Sequence, residues 1–245
     1  MPDKTQITMS IKQHIPNSIT CCNLVSGCLS ILFLGAGTPV KAAIMIFVAG
    51  IFDFFDGFAA RLLNAHSPIG GDLDSLSDVV SFGVAPGFIM YWLMLKTITE
   101  PIIPVGPFDI LPFIAFMLPV FSAIRLAKFN IDDTQKTSFR GIPAPGMAIF
   151  VASLPLALAQ AGHLTDGSLR LGYCIGIVLI FSFMMVCNLR FFSFKMKNVN
   201  WKGNEVRFIF LALAIAGFAV FRFVALPFIM MAYILLSIFF GKQME

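Results

Sequence analysis

The stretch that decides the fold is Asp53-Phe54-Phe55-Asp56-Gly57-Phe58-Ala59-Ala60-Arg61, followed by Gly70-Gly71-Asp72-Leu73-Asp74-Ser75-Leu76-Ser77-Asp78. Four carboxylates, Asp53, Asp56, Asp74 and Asp78, sit within or at the ends of runs otherwise apolar enough to cross a bilayer. An acid at mid-membrane costs about 2.5–3.5 kcal/mol on insertion scales, so each needs a partner or a purpose. Helical periodicity puts Asp53, Asp56, Gly57 and Ala60 on one face, and Asp74 and Asp78 one turn apart on the next helix. Two such helices joined by a short connection aim four acids at one pocket. Carboxylates that close repel one another unless cations intervene, and hard oxygen ligands suit Mg²⁺ or Mn²⁺. Two divalent cations balance the four formal charges.

The rest of the chain is consistent with a membrane setting. It is 58% hydrophobic and 12% charged over 245 residues, against about 45–50% and about 25% in soluble domains. Apolar runs near the length of a bilayer crossing predict an all-α, polytopic helical bundle of about eight transmembrane helices. The expected spans are 18–36, 41–63, 72–96, 110–130, 144–162, 169–189, 205–222 and 224–241, with the last two divided by a tight turn near Arg222. Ile7, Ile11 and Ile15 are spaced for a short N-terminal interfacial helix. Pro16 is expected to open the first span, where its missing N–H does no harm. Residues 1–245 read as one integral membrane domain. Its motif-bearing part covers 14–150, and 151–245 is a helical scaffold.

Several function classes fall away. No basic stripe with interleaved aromatics suggests nucleic acid, and the 28 Phe are spread through the apolar spans. Five cysteines form no CxxC pair, so they read as reduced, buried thiols. Residues 1–17 hold no apolar signal-peptide core, so the first span is expected to be the uncleaved membrane entry signal. With an inside N-terminus, eight spans place thirteen of the seventeen Lys and Arg on the cytoplasmic side. That orientation puts both termini, Arg61 and the mouth of the acidic pocket in the cytoplasm.

Written out, the motif is D-x2-D-G-x2-A-R-x8-G-x3-D-x3-D. It resembles the signature of the CDP-alcohol phosphotransferases, integral membrane enzymes of phospholipid synthesis. The resemblance implies that Asp53, Asp56 and Asp74 are metal ligands, and that Asp78 completes the metal site and acts as the base. It also implies a nucleotide site from Asn17 and Thr20 of a P-N-x-x-T opening, with Gly57, Ala60, Arg61 and Gly70. Asp72 falls between motif positions; it either meets the cytidine end of the lipid or caps its helix. Family members are typically homodimers with one site per protomer. Small residues in the third and fourth spans (Ser81, Gly83, Ala85, Gly87, Ala115, Ser122 and Ala123) permit close helix approach.

The motif leaves the acceptor alcohol open. Three further stretches, Asp74–Pro86, Arg125–Asn130 and Phe139–Pro145, resemble the membrane-bound phosphatidylserine synthases of bacteria and archaea. That likeness implies CDP-diacylglycerol and L-serine as substrates, with Arg125, Asn130 and Arg140 near the acceptor. Charge alone does not choose, because Arg125, Lys128 and Arg140 would suit a serine carboxylate or an acceptor phosphate equally. Lys128 also has the ordinary alternative of snorkelling at the interface. A cation transporter is the competing class. It would need broken helices in paired halves, whereas spans five to eight carry no acids within the membrane.

Overall fold

The computed structural model describes residues 11–65, 67–131, 139–164, 169–187, 190–191 and 205–240. Among them the chain runs α1 (Ile11–Gly35), α2 (Pro39–Leu62), α3 (Gly70–Asp78), a π-helical turn (Val79–Val84) and α4 (Ala85–Thr97). A 3₁₀ turn (Leu111–Phe116) then leads into α5 (Met117–Ile131), followed by α6 (Ala144–Gln160), α7 (Leu171–Val186), α8 (Glu205–Phe221) and α9 (Ala225–Phe240). Five helical stretches are long and apolar enough to cross a membrane: Lys12–Gly35, Pro39–Leu62, Gly70–Thr97, Leu111–Ile131 and Glu205–Ser237. Two shorter apolar helices, Ala144–Gln160 and Leu171–Val186, complete the set. The architecture is the helical bundle expected from the hydropathy.

The differences from expectation are local and have causes. Helix α1 begins at Ile11, so Pro16 lies inside it rather than at its start. The ring removes the N–H that would otherwise reach the Lys12 carbonyl, so the helix passes through Pro16 one ladder bond short. Of the isoleucines expected to form a separate interfacial helix, Ile11 and Ile15 belong to α1 itself, while Ile7 and the rest of residues 1–10 lie outside the described residues. The third span is one continuous helical run, but it widens into the π turn directly after Asp78. Pro86 cannot donate to the Phe82 carbonyl four residues back, and the Ala85 N–H reaches Val80 instead. The run from Glu205 to Ser237 exceeds the about 20 residues one crossing needs. It is divided at Arg222, whose φ of 52° breaks the helix. Gln160 secures that turn, donating to the Phe221 carbonyl at 2.9 Å and accepting from the Phe223 N–H at 2.8 Å.

Two small antiparallel ladders interrupt the helical pattern. Pro104–Val105 (β1) pairs with Phe108–Asp109 (β2) in the proline-bearing loop. There Asp109 accepts backbone N–H groups from Ile102 at 2.8 Å, Leu111 at 3.0 Å and Ile103 at 3.2 Å. These donors hold its carboxyl below the usual carboxylate range. Phe139–Arg140 (β3) pairs with Arg190–Phe191 (β4). Gly141 follows with φ 75°, where a Cβ would meet the Met185 carbonyl at 2.5 Å, so this turn requires glycine.

The packed centre lies among α2, α4, α6 and α7. Ala42, Ala43, Ile46 and Ala49 on α2 meet Phe82, Ile89 and Met90, with Val151 from α6 and Val178 and Phe181 from α7. Helix α6 is buried at every position from Met147 to Leu156 except Ile149, which is half-buried, so it forms the bundle's inner post. By contrast α8 buries only Arg207 and Phe210. Its apolar side chains and those of α9 face outward and line a groove of about 710 Å³ that includes Leu213, Phe221 and Phe228.

Close approaches bring the motif helices together. A Cβ on Gly27 would come within 2.5 Å of the Ser81 hydroxyl, and one on Gly87 within 2.9 Å of the Pro119 ring. Gly83 lies against Ser122 in the same way. Ser81, Gly83, Ala85, Gly87, Ala115 and Ser122 are therefore buried between helices of one chain. Gly27→Ala should cost about 1–3 kcal/mol by overpacking, lowering the thermal midpoint in detergent. Gly50→Ala, with nothing within 4 Å of the added carbon, should leave the midpoint level or higher.

Candidate active site

Helix α1 supplies a polar stripe. Asn17, Thr20, Asn23, Ser26 and Ser30 recur every three or four residues, and all five are buried. Helix α2 answers with two faces. Phe54, Phe55 and Phe58 are exposed, as suits contact with lipid tails, while Asp56 is buried and Asp53 half-buried on the opposite side. Gly37, with φ 72°, closes the short turn that sets the two helices side by side.

Helix α3 then delivers Asp74 to the acids of α2. One carboxylate oxygen from each of Asp53, Asp56 and Asp74 lies within 4.8 Å of the others. Asp74 Oδ1 is enclosed and has no hydrogen-bond partner among the described residues. Three converging carboxylates with an orphaned oxygen form a hard-donor set that fits a divalent cation of the Mg²⁺ or Mn²⁺ type. Thr20 donates to Asp56 Oδ2 at 2.7 Å and so holds that ligand from behind. Asp78, one turn beyond Asp74, is buried outside this trio and accepts the Asn23 side-chain N–H at 3.1 Å.

The other expected residues surround this centre. Asn17 donates to the Ser67 hydroxyl at 3.1 Å, fixing the connection between α2 and α3. A Cβ on Gly70 would lie 3.2 Å from Ser67 and 3.5 Å from the Asn17 side-chain oxygen, so Gly70 is part of that junction. Gly57 has nothing within 4 Å of a would-be Cβ, which leaves open space beside Asp56. Ala60 is half-buried one turn on. Arg61 is exposed, and its Nε donates to the Gly57 carbonyl at 2.9 Å. Asp72 is exposed in the first turn of α3, and the residue before that helix makes no side-chain cap.

Arg125 of α5 is buried within electrostatic reach of Asp78, and its Nε has no hydrogen-bond partner among the described residues. A buried guanidinium with an unused donor is a ready site for an anion. Lys128 is exposed, as expected of an interfacial cation. Asn130 is also exposed, and its side-chain nitrogen donates to Ser75 at 2.9 Å, tying the end of α5 to α3. Arg140 belongs to β3, but its side chain lies outside the described residues.

Asn23, Ser67 and Ser75 contact site residues and were not singled out by the motif. Asn23 had a legible signal, since an amide three residues after Thr20 in an apolar run shares its helix face. Ser67 and Ser75 had none, being ordinary serines until the helices are assembled.

Residues 13–186 match the family model described as CDP-alcohol phosphatidyltransferase. A Bacillus subtilis (strain 168) protein named CDP-diacylglycerol–serine O-phosphatidyltransferase is 36% identical over 191 residues, covering 74% of this chain and 92% of that protein. A Helicobacter pylori (strain J99) protein of the same name is 33% identical over 200 residues, covering 81% of this chain and 80% of its own. An archaetidylserine synthase from Methanothermobacter thermautotrophicus is 33% identical over 145 residues, covering 58% of each.

The support that Thr20 gives Asp56 can be tested directly. Thr20→Val keeps the shape and removes the donor, so Mn²⁺ affinity measured by equilibrium dialysis should fall about ten- to hundredfold. Thr20→Ser should retain most of it.

Proposed function

The chain belongs to the CDP-alcohol phosphatidyltransferase family, and from that premise we propose that it transfers the phosphatidyl group of CDP-diacylglycerol to the hydroxyl of L-serine, giving phosphatidylserine and CMP. Membership and the apolar helices make it an integral membrane protein. The observation that carries the reading is the convergence of Asp53, Asp56 and Asp74, with Asp78 one turn away and Arg125 beside it. The names borne by the relatives from Bacillus subtilis and Helicobacter pylori support serine as the acceptor.

In this reading Asp53, Asp56 and Asp74 hold two divalent cations, with Asp78 completing the set. Bound there, the cations neutralise the pyrophosphate and stabilise charge on the entering and leaving oxygens. Gly57 and Ala60 leave room for the nucleotide end against α2. Arg61 pairs with a phosphate at the mouth, while Asn17, Thr20 and Gly70 shape the wall and Asp72 borders it. Arg125 receives the serine carboxylate, with Asn130 and Arg140 at the rim.

Asp78 takes the proton from the serine hydroxyl as its oxygen attacks the phosphorus that carries diacylglycerol. The bond from that phosphorus to the bridging oxygen breaks in line, and CMP leaves with that oxygen. Orientation and electrostatic stabilisation supply most of the effect in such a displacement. The low-dielectric surroundings of α1–α3 strengthen both. The proposed setting is the cytoplasmic membrane with both termini and the site mouth inside, where CDP-lipid headgroups and serine meet. Residues 151–245 serve as scaffold, and the assembly is a homodimer with one site per protomer. Native mass spectra from lipid that contain only monomers would remove the dimer from this reading.

A substrate panel tests the assignment. Protein in detergent or lipid should release CMP when serine, CDP-diacylglycerol and Mg²⁺ or Mn²⁺ are all present. Equal or faster turnover with glycerol 3-phosphate or inositol phosphate would overturn serine as acceptor. Two variants separate the carboxylate roles. Asp56→Asn should lose metal and CDP-lipid binding together. Asp78→Asn should slow turnover by about 10²–10⁴-fold while CDP-lipid binding remains measurable. Near-normal turnover in Asp78→Asn would exclude it as the base.

A further inference from the structure

Asn23 lies outside the acidic motif, yet both its main chain and its side chain are held by the helical turn that carries Asp78. Its side chain is fully enclosed, and Nδ2 donates to Asp78 Oδ1 at 3.1 Å. Its carbonyl accepts the Ser81 hydroxyl at 2.9 Å, one turn beyond Asp78. The contact depends on glycine: a Cβ on Gly27, one turn along α1, would come within 2.8 Å of the Ser81 Cα. Only the missing side chain at Gly27 lets α1 come near enough for an amide as short as asparagine's to span the gap.

The chemistry also fixes which way the amide points. As the base Asp78 must be ionised, and an ionised carboxylate only accepts hydrogen bonds, so in that reading the NH₂ group faces Asp78 and Oδ1 faces away. That Oδ1 is enclosed and has no hydrogen-bond partner among the described residues. A buried amide used on one side only is a costly way to fill space, and an apolar residue of similar volume would deprive the buried Asp78 Oδ1 of this donor. The arrangement makes sense as orientation of the carboxylate rather than as packing.

We propose that Asn23 is a positioning residue for the transfer step: by occupying Oδ1 it fixes the side-chain rotamer of Asp78 and directs the other carboxylate oxygen to the acceptor hydroxyl. This rests on the reading of Asp78 as the base. Asn23 itself touches neither the lipid nor the acceptor, and it acts through Asp78 alone. It is to Asp78 what an orienting group is to the base in a nucleophile–base–orienter arrangement.

Asn23→Leu, of similar volume, and Asn23→Ala, which only vacates space, are the test variants, each alone and combined with Asp78→Asn. Each alone should lower kcat for serine-dependent CMP release by about ten- to hundredfold, with KM for CDP-diacylglycerol within about twofold. In the Asp78→Asn background neither should slow turnover further, because residues acting as one unit are non-additive. A kcat at the wild-type level in both variants overturns the inference. So does a further, multiplicative loss in the Asp78→Asn background, which leaves the reading of Asp78 as base intact. Loss of metal-dependent CDP-lipid binding in both variants marks Asn23 as structural and also overturns it. Near-normal turnover in Asp78→Asn alone removes the base, and this inference falls with it.

Discussion

Like charge in a low-dielectric setting is the constraint on which the structure depends. Asp53, Asp56 and Asp74 bring carboxylate oxygens within 4.8 Å of one another on helices apolar enough to cross a bilayer. Hydrogen bonds alone do not compensate such a cluster, and Asp74 Oδ1 has none. In the proposed reading, divalent cations and a phosphate-rich ligand would do so. The same unfavourable convergence that burdens the fold would then prepare it to receive a pyrophosphate without further reorganisation. Strain of this kind is expected where function, rather than stability, sets the residue.

The surrounding helices hold that cluster in place. Helix α1 contributes no acid, but its buried stripe reaches Asp56 through Thr20 and Asp78 through Asn23. The glycine contact at Ser81 sets the distance at which the Asn23 bond forms. Helix α5 adds Arg125 within electrostatic reach of Asp78 and anchors to α3 through Asn130 and Ser75. The π turn begins one residue after Asp78, so the helix changes register between its acidic end and its packed end. The wide turn seats its own Phe82, and α4 its Ile89, in the core while Asp74 and Asp78 remain on the side of α1 and α2.

Much of this was legible in the sequence, because membrane helices must satisfy their own backbone and hydropathy therefore marks their extent. The alternation of Phe and Asp along α2 gave its two faces, and the spacing of Asp74 and Asp78 gave the matching face of α3. The division near Arg222 was legible as excess length. What could not be read was tertiary. Pro16 looked like a helix start because an isolated proline usually is one; the helix begins at Ile11 and passes through it at the cost of one ladder hydrogen bond. The small residues from Ser81 to Ser122 signalled close approach without saying to what, and they lie between helices of the same chain. Asp78 could be placed on the right face, but only its bond to Asn23 separates it from the trio formed by the other three acids.

The claim that this cluster holds a pair of cations is tested most directly by electron paramagnetic resonance of the protein titrated with Mn²⁺ in lipid. Two ions about 3.5–4 Å apart couple magnetically. The account predicts that a coupled two-ion spectrum appears as the second equivalent binds, and that it is absent when Asp56 is replaced by Asn. A single uncoupled six-line spectrum that saturates at one equivalent, or binding unchanged by loss of Asp56, would contradict it.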